Sequence, residues 1–311
     1  MMIDKIIGID IGGTNIKLGI VTSRGEIVEE GMIDTEPARG PADTAARVEK
    51  WYRQRRADYP DIRGVGIGCA GLIDGEKGFL YSSPNLPGWV DTDLGRIFEE
   101  RLELPVTVEN DANCAAWAEY KMGTGADSRY FVCITLGTGV GGGIVIDGRL
   151  YKGWRGFAAE IGHQVIMAGG PECSCGNRGC LEALIGAEAI VDRYLKMDNR
   201  SDSLILGADR ISVKDISEAA AAGKQEAAKA LEETGKILGI GLANIAHILN
   251  PELIAVGGGV AGAGELILEP ARISMKEHLI GDILSPVRVV AAKLGNKASF
   301  LGAALLALEK Y

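Results

Sequence analysis

Three thiols fall within one short stretch of this chain. Cys173, Cys175 and Cys180 follow the spacing C-x-C-x4-C, and His163 stands ten residues ahead of the first. Three thiolates and one imidazole make a closed tetrahedral Cys3His set suited to Zn2+, structural in type because no position stays open for water. The competing reading is a redox or turn cluster. In a reducing compartment the spacing favours metal ligands over disulfides. Two glycine-rich turns offer a second kind of chemistry. In the run from Asp10 to Lys17, a carboxylate ends an apolar segment and Gly12, Gly13 and Thr14 follow. Free backbone N–H groups and the Thr14 hydroxyl suit phosphate oxygens, and Asp10 suits a Mg2+ ion held through water. An ordinary hairpin with Asp10 as a turn residue fits the same residues. The run from Gly137 through Thr138 and Gly139 to Gly143 holds five glycines in seven positions. That density weakens a strand pair, and a polyphosphate bound by backbone amides would compensate. Gly257, Gly258 and Gly259 form a third cluster, open either to a nucleotide base and ribose or to tight helix–strand packing.

The elements that must position these residues show an internal duplication. Lys5 to Gly31 predicts three short antiparallel strands, broken at Gly12-Gly13 and at Ser23-Arg24-Gly25. Tyr130 to Gly153 repeats that layout about 125 residues later, as befits a duplicated domain rather than a solenoid. After the first unit, helix is expected over 41–58, strand over 63–73, helix over 91–102 with Asp91 or Thr92 as cap, and strand over 105–109. After the second, helix is expected over 225–249, strand over 252–256, helix over 264–277, strand over 287–291 and helix over 299–309. Three strands followed by alternating helices and strands, twice over, specify two α/β lobes of mixed sheet with a cleft between them. The expected division is a small lobe of 1–115 plus 296–311 and a large lobe of 116–295 carrying the cysteine loop.

Composition excludes several classes. Glycine accounts for 44 of 311 residues, about twice the usual share. The glycines lack a period of three and 47% of residues are apolar, so neither collagen nor a low-complexity chain is compatible. The formal charge is −9 with no basic run, which argues against nucleic acid as a partner and mildly against a long polyphosphate as substrate. No signal peptide pattern and no apolar run of membrane-spanning length occur, so a cytoplasmic protein is expected.

Taken in order, DIGGTNIK, ENDANCAA, LGTGVGGG, the run Gly156 to His163 (GxxAEIGH) and CSCGNRGCLE resemble the ROK family of sugar kinases and related repressors, within the actin-like ATPase superfamily. The likeness covers nearly the whole chain. It implies the two-lobed actin-like, ribonuclease H-like fold closing over ATP and a hexose. Both glycine turns then act as phosphate loops, with Asp10, Gly12, Gly13, Thr14, Lys17, Gly137, Thr138 and Gly139 toward the nucleotide and Gly257 to Gly259 near adenosine. It makes Asp111 the catalytic base, a residue that without the family reads as a cap for a helix over 112–121. It places Asn110, Asp111, Glu160, His163 and Glu182 around the sugar hydroxyls, with Asn85 and Gly71 as further contacts. The second nitrogen of a Zn2+-bound His163 would then face the sugar. The implied reaction is ATP-dependent phosphorylation of the 6-hydroxyl of glucose. N-acetylmannosamine, N-acetylglucosamine, fructose and mannose are alternatives that share the motifs. A homodimer or homotetramer is expected. A sugar-sensing regulator is disfavoured, because the first strand begins by Ile6 and leaves no room ahead of it for a helix-turn-helix.

Overall fold

A computed structural model describes residues 4–198, 211–281 and 286–311. The anticipated duplication is present in the strand order. The first five-stranded sheet runs β3-β2-β1-β4-β8, from β1 (Lys5–Ile11), β2 (Asn15–Thr22), β3 (Ile27–Asp34), β4 (Ile62–Cys69) and β8 (Val106–Asn110). The second runs β11-β10-β9-β12-β13, from β9 (Tyr130–Leu136), β10 (Val140–Ile146), β11 (Arg149–Leu150), β12 (Leu253–Gly257) and β13 (Arg288–Ala291). In each, the first strand of the hairpin unit lies parallel to a later strand, β1 to β4 and β9 to β12. Such parallel neighbours need crossovers, which the intervening helices supply. This is the α/β, mixed-sheet architecture expected.

By contacts the chain divides into two compact units. One holds Met1–Ala126, Gly143–Ala159 and Asn296–Tyr311; the other holds Asp127–Gly142 and Glu160–Gly295. In the first, β1 is buried from Ile6 to Ile11, with Asp10 its one charged residue there, and Ile7, Ile9 and Ile11 join Trp51, Trp89, Phe98 and Val108 in the core. Helices α1 (Gly40–Arg53), α2 (Leu94–Leu102), α3 (Asp111–Met122) and α9 (Ala298–Leu308) belong to this unit. One expectation is corrected here. The stretch 91–102 is not one helix: Val90–Asp93 is strand β7, paired with β6 (Phe79–Ser82) in a small sheet completed by β5 (Leu72–Asp74), and Asp93 caps α2 by accepting from the Arg96 N–H. Asp91 sits at φ 46°, incompatible with helix.

The second unit is organised by α7 (Gln225–Leu249), whose ends match the expected ones, with α4 (Leu181–Ile185), α5 (Ala187–Met197), α6 (Val213–Ala221) and α8 (Glu265–His278). Glycines inside a helix weaken it by about 1 kcal/mol each. In α7 they allow close packing instead: a side chain at Gly235 would strike the Ile267 carbonyl, and one at Gly239 would lie 2.6 Å from the Ala271 carbonyl, both on α8. No helix among the described residues is long and apolar enough to cross a membrane.

Candidate active site

Parallel register brings the acidic residues of the first unit to one edge. Asp10 stands level with Gly68 of β4, and Gly68 with Glu109 of β8, so Asp10 and the Asn110–Asp111 step share the carboxyl ends of the strands. That edge is where open α/β sheets bind ligands. Asp10 is 8% exposed. Its carboxylate accepts from Lys17 Nζ at 3.1 Å and from Ser299 Oγ, in the first turn of α9, at 3.0 Å. The turn itself closes through the Gly12 N–H on the Asn15 carbonyl, and Thr35 Oγ1 donates to the Gly12 carbonyl at 2.6 Å. Asn85 packs on this turn: a Cβ at Gly13 would lie 2.9 Å from the Asn85 carbonyl. The structure thus gathers Asp10, Gly12, Gly13, Thr14, Lys17 and Asn85 at one place.

Asp111 opens α3 and is not its cap. Asn110, in extended conformation, takes that role, its Oδ1 accepting from the Ala112 and Asn113 N–H groups at 2.9 and 3.1 Å. Its Nδ2 donates to the Gly71 carbonyl at 3.2 Å. The capping alternative for Asp111 is therefore replaced by a half-buried carboxylate in a helix's first turn, where the helix dipole favours negative charge.

In the second unit the turn after β9 is held by the segment that follows the cysteines. Glu182, on α4, accepts the Val140 N–H on Oε2 at 2.9 Å and the Ser174 hydroxyl on Oε1 at 2.9 Å. The Ala187 N–H donates to the Gly137 carbonyl at 3.0 Å, and a side chain at Gly139 would collide with Glu182 Oε2. By contrast, nothing lies within 4 Å of where a Cβ would stand at Gly137 or Gly259. Those two positions face open space on their Cβ side. Gly258 has a packing reason of its own, with φ 88° and the Leu136 backbone against it.

Thiol and imidazole atoms of His163, Cys173, Cys175 and Cys180 lie within 4.8 Å of one another. Cys175 Sγ and Cys180 Sγ are 3.7 Å apart, and Cys173 Sγ is 3.6 Å from His163 Nδ1. Tetrahedral thiolates about 2.3 Å from Zn2+ stand roughly 3.8 Å apart, so the donors fit such an ion. Burial first, then the neighbouring thiols, pushes the Cys180 thiol up to about 12, and burial raises Cys173, whereas the backbone hydrogen bond with Asn177 lowers Cys175. The other imidazole nitrogen, Nε2, lies 3.8 Å from Glu160 Oε2. Burial raises the Glu160 pKa; His163 opposes that shift and Glu182 adds to it.

The profile of the ROK family matches residues 6–310. The chain belongs to the ROK family. It is 41% identical over 313 residues to a glucokinase of Streptomyces coelicolor, covering 97% of each chain. Among solved structures, a ROK family glucokinase from Streptomyces griseus in complex with glucose and AMPPNP superposes with a TM-score of 0.86 at 39% identity, over 97% of this chain and 98% of that one. A ROK family transcriptional regulator, a homologue of the E. coli MLC protein, superposes with a TM-score of 0.87 at 27% identity, over 98% of this chain and 78% of that one. The fold is therefore the actin-like ATPase fold of ROK proteins. Sequence reasoning did not single out Ser299, Ser174, Glu109 or Lys152. Ser299 lies 289 residues from its partner Asp10, beyond any local motif, whereas Glu109 was in view inside ENDANCAA without a role.

Proposed function

We propose that this ROK protein is an ATP-dependent sugar kinase that transfers the γ-phosphoryl group of ATP to the 6-hydroxyl of glucose in the cytoplasm, with Asp111 as general base. The observation that carries the reading is the placement of Asp111: at the N-terminus of α3, fixed by the Asn110 cap, on the same sheet edge as Asp10. A primary hydroxyl is a weak nucleophile, and a carboxylate against it accepts its proton as the bond to phosphorus develops. Asp10 would hold Mg2+ through water, supplying neutralisation of phosphate charge. The first and second turns offer backbone N–H groups to phosphate oxygens, and Gly259 leaves bare backbone for adenosine.

Asn85, Asn110, Glu160, His163 and Glu182 are proposed to pair with sugar hydroxyls, which discriminates epimers because an unmatched buried polar group is costly. Zn2+ held by His163, Cys173, Cys175 and Cys180 would fix the imidazole's orientation and take no part in phosphoryl transfer. Similarity to a glucokinase at 41% identity, and to a structure whose ligands are glucose and AMPPNP, supports glucose as the sugar.

An ADP-release assay with ATP and Mg2+ across glucose, mannose, fructose, N-acetylglucosamine and N-acetylmannosamine should show glucose as the preferred acceptor. Asp111→Ala should lower kcat by about 10²–10⁴-fold while leaving zinc content and melting temperature unchanged. Turnover of no sugar would remove the kinase reading, and a fully active Asp111→Ala enzyme would remove the base.

A further inference from the structure

The residue immediately ahead of the Asn110 cap is an ionisable group that the proposed reaction leaves without a task. Glu109, near the end of β8, is 2% exposed, and burying a carboxylate is costly unless it is compensated. Its compensation is directed at the catalytic turn. Oε1 accepts from the Asn110 backbone N–H at 3.0 Å and from Asn113 Nδ2 at 3.1 Å. Oε2 receives no hydrogen bond of ordinary geometry and is met instead by the Lys152 ammonium in an ion pair. Lys152 follows β11, so the pair ties the turn between β8 and α3 to a segment more than 40 residues away. Gly75, in the turn between β5 and β6, closes over the carboxylate; a Cβ there would lie 3.0 Å from Oε2.

Stability alone does not explain this cluster. Lys152 is partly exposed, and a carboxylate buried against a cation that reaches solvent is a poor source of stability compared with apolar residues of the same volume. Asn113 makes the cost higher, because its amide turns the nitrogen toward Glu109 and leaves Oδ1 buried without a partner. An unsatisfied buried acceptor is destabilising. What the arrangement does achieve is orientation. Glu109 holds residue 110 by its backbone and residue 113 by its side chain, while Asn110 Oδ1 holds the N–H groups of 112 and 113. Asp111 lies between these anchors.

We propose that buried Glu109 and the partly exposed Lys152 form a positioning pair that sets the angle at which the turn presents Asp111, and so governs the rate of phosphoryl transfer without touching sugar or nucleotide. The proposal rests on Asp111 being the base. A misplacement of 1 Å costs about 10²-fold in rate, so the signature is a fall in kcat with little change in KM.

Glu109→Gln preserves the shape and an acceptor for the Asn110 N–H but removes the charge opposite Lys152. Measured on folded, zinc-loaded protein, it should lower kcat by about 10–100-fold with both KM values within about three-fold of wild type. Lys152→Met should act alike, the double variant should be no worse than the poorer single, and Lys152→Arg should stay within a few-fold of wild type. Should Glu109→Gln fail to fold, Lys152→Met carries the same test, since its side chain is partly exposed. A lowered melting temperature with kcat unchanged in both Glu109→Gln and Lys152→Met would overturn the proposal and leave the pair structural. Asp111→Ala is assayed alongside. If it is inactive while the pair variants turn over normally, only the positioning role fails; if it is active, the base reading fails and the pair loses its object.

Discussion

Asp10 in β1 and Thr135 in β9 occupy matching places in the two sheets. Asp10 is level with Gly68 of the parallel strand β4, Thr135 with Gly257 of the parallel strand β12, and each is followed two residues later by a three-residue glycine turn. Their bracing differs. The first turn hangs on a charged centre, with Lys17 and Ser299 both on the Asp10 carboxylate. The second has a neutral threonine there, and its rigidity comes from outside the hairpin, through Glu182 on the Val140 N–H and the Ala187 N–H on the Gly137 carbonyl. The two copies thus share the placement of the turn after the first strand while the side chains that brace it differ. A carboxylate able to hold a cation stands in one copy, and a link to the cysteine loop in the other.

The largest effect expected from this asymmetry is at the paired positions themselves. Asp10→Ala should reduce kcat by about 10²–10³-fold, as removal of a preorganised electrostatic group does, and should weaken the dependence of rate on Mg2+ concentration. Thr135→Ala should stay within a few-fold of wild type. Initial rates over a Mg2+ titration compare the two directly. Equal losses would mean that the copies share the cation and that the contrast is wrong.

The second turn is tested through its brace. Glu182→Ala strands the Val140 N–H and frees the loop that carries Ser174. Loss of one such partner costs about 1–3 kcal/mol, so KM for ATP should rise about ten-fold, in addition to the rise in KM for glucose that a hydroxyl contact of Glu182 requires. A rise in the glucose value alone would assign Glu182 wholly to the sugar and leave the second turn self-supporting.

How much of this was legible in the residues depends on the range of the interactions. The glycine turns and the strands beside them are local, and both three-strand units were readable from β-branched runs broken by glycine. The ends of α7 were readable too, since Pro251 stops a long apolar helix where the structure ends it at Leu249. The 91–102 stretch misled because its charge and apolar spacing suit a helix, while pairing with β6 pulls Val90–Asp93 into a sheet. Asn110 and Asp111 are both good caps, and only backbone conformation decides between them. Two of the three α7 glycines gained their reason from α8, about 30 residues on, where Gly235 and Gly239 meet the backbone at Ile267 and Ala271, and the third, Gly241, lies against Leu181. Long-range partners of a site leave no local signature, and Ser299 is the clearest case.

Ser299 also supplies the finest test of the comparison. It donates to Asp10 Oδ1 at 3.0 Å from the start of α9, while Lys17 meets Oδ2 at 3.1 Å, so each oxygen of the carboxylate has its own partner. The second turn has no carboxylate at the matching place to be oriented in this way. A hydrogen bond to a charged group contributes about 1.5–3 kcal/mol to stability, but much of that is recovered when the lost hydroxyl leaves room for water. Ser299→Ala should therefore lower kcat only a few-fold, an effect of the order of 1 kcal/mol, with KM for glucose unchanged. The diagnostic is the Mg2+ dependence. If Ser299 orients Asp10 toward the cation, half-maximal rate should require more Mg2+ in the variant, and an Asp10→Ala enzyme should be indifferent to the second substitution. Additive losses in the double variant would show that Ser299 acts on something other than Asp10, and would leave Lys17 as the carboxylate's working partner.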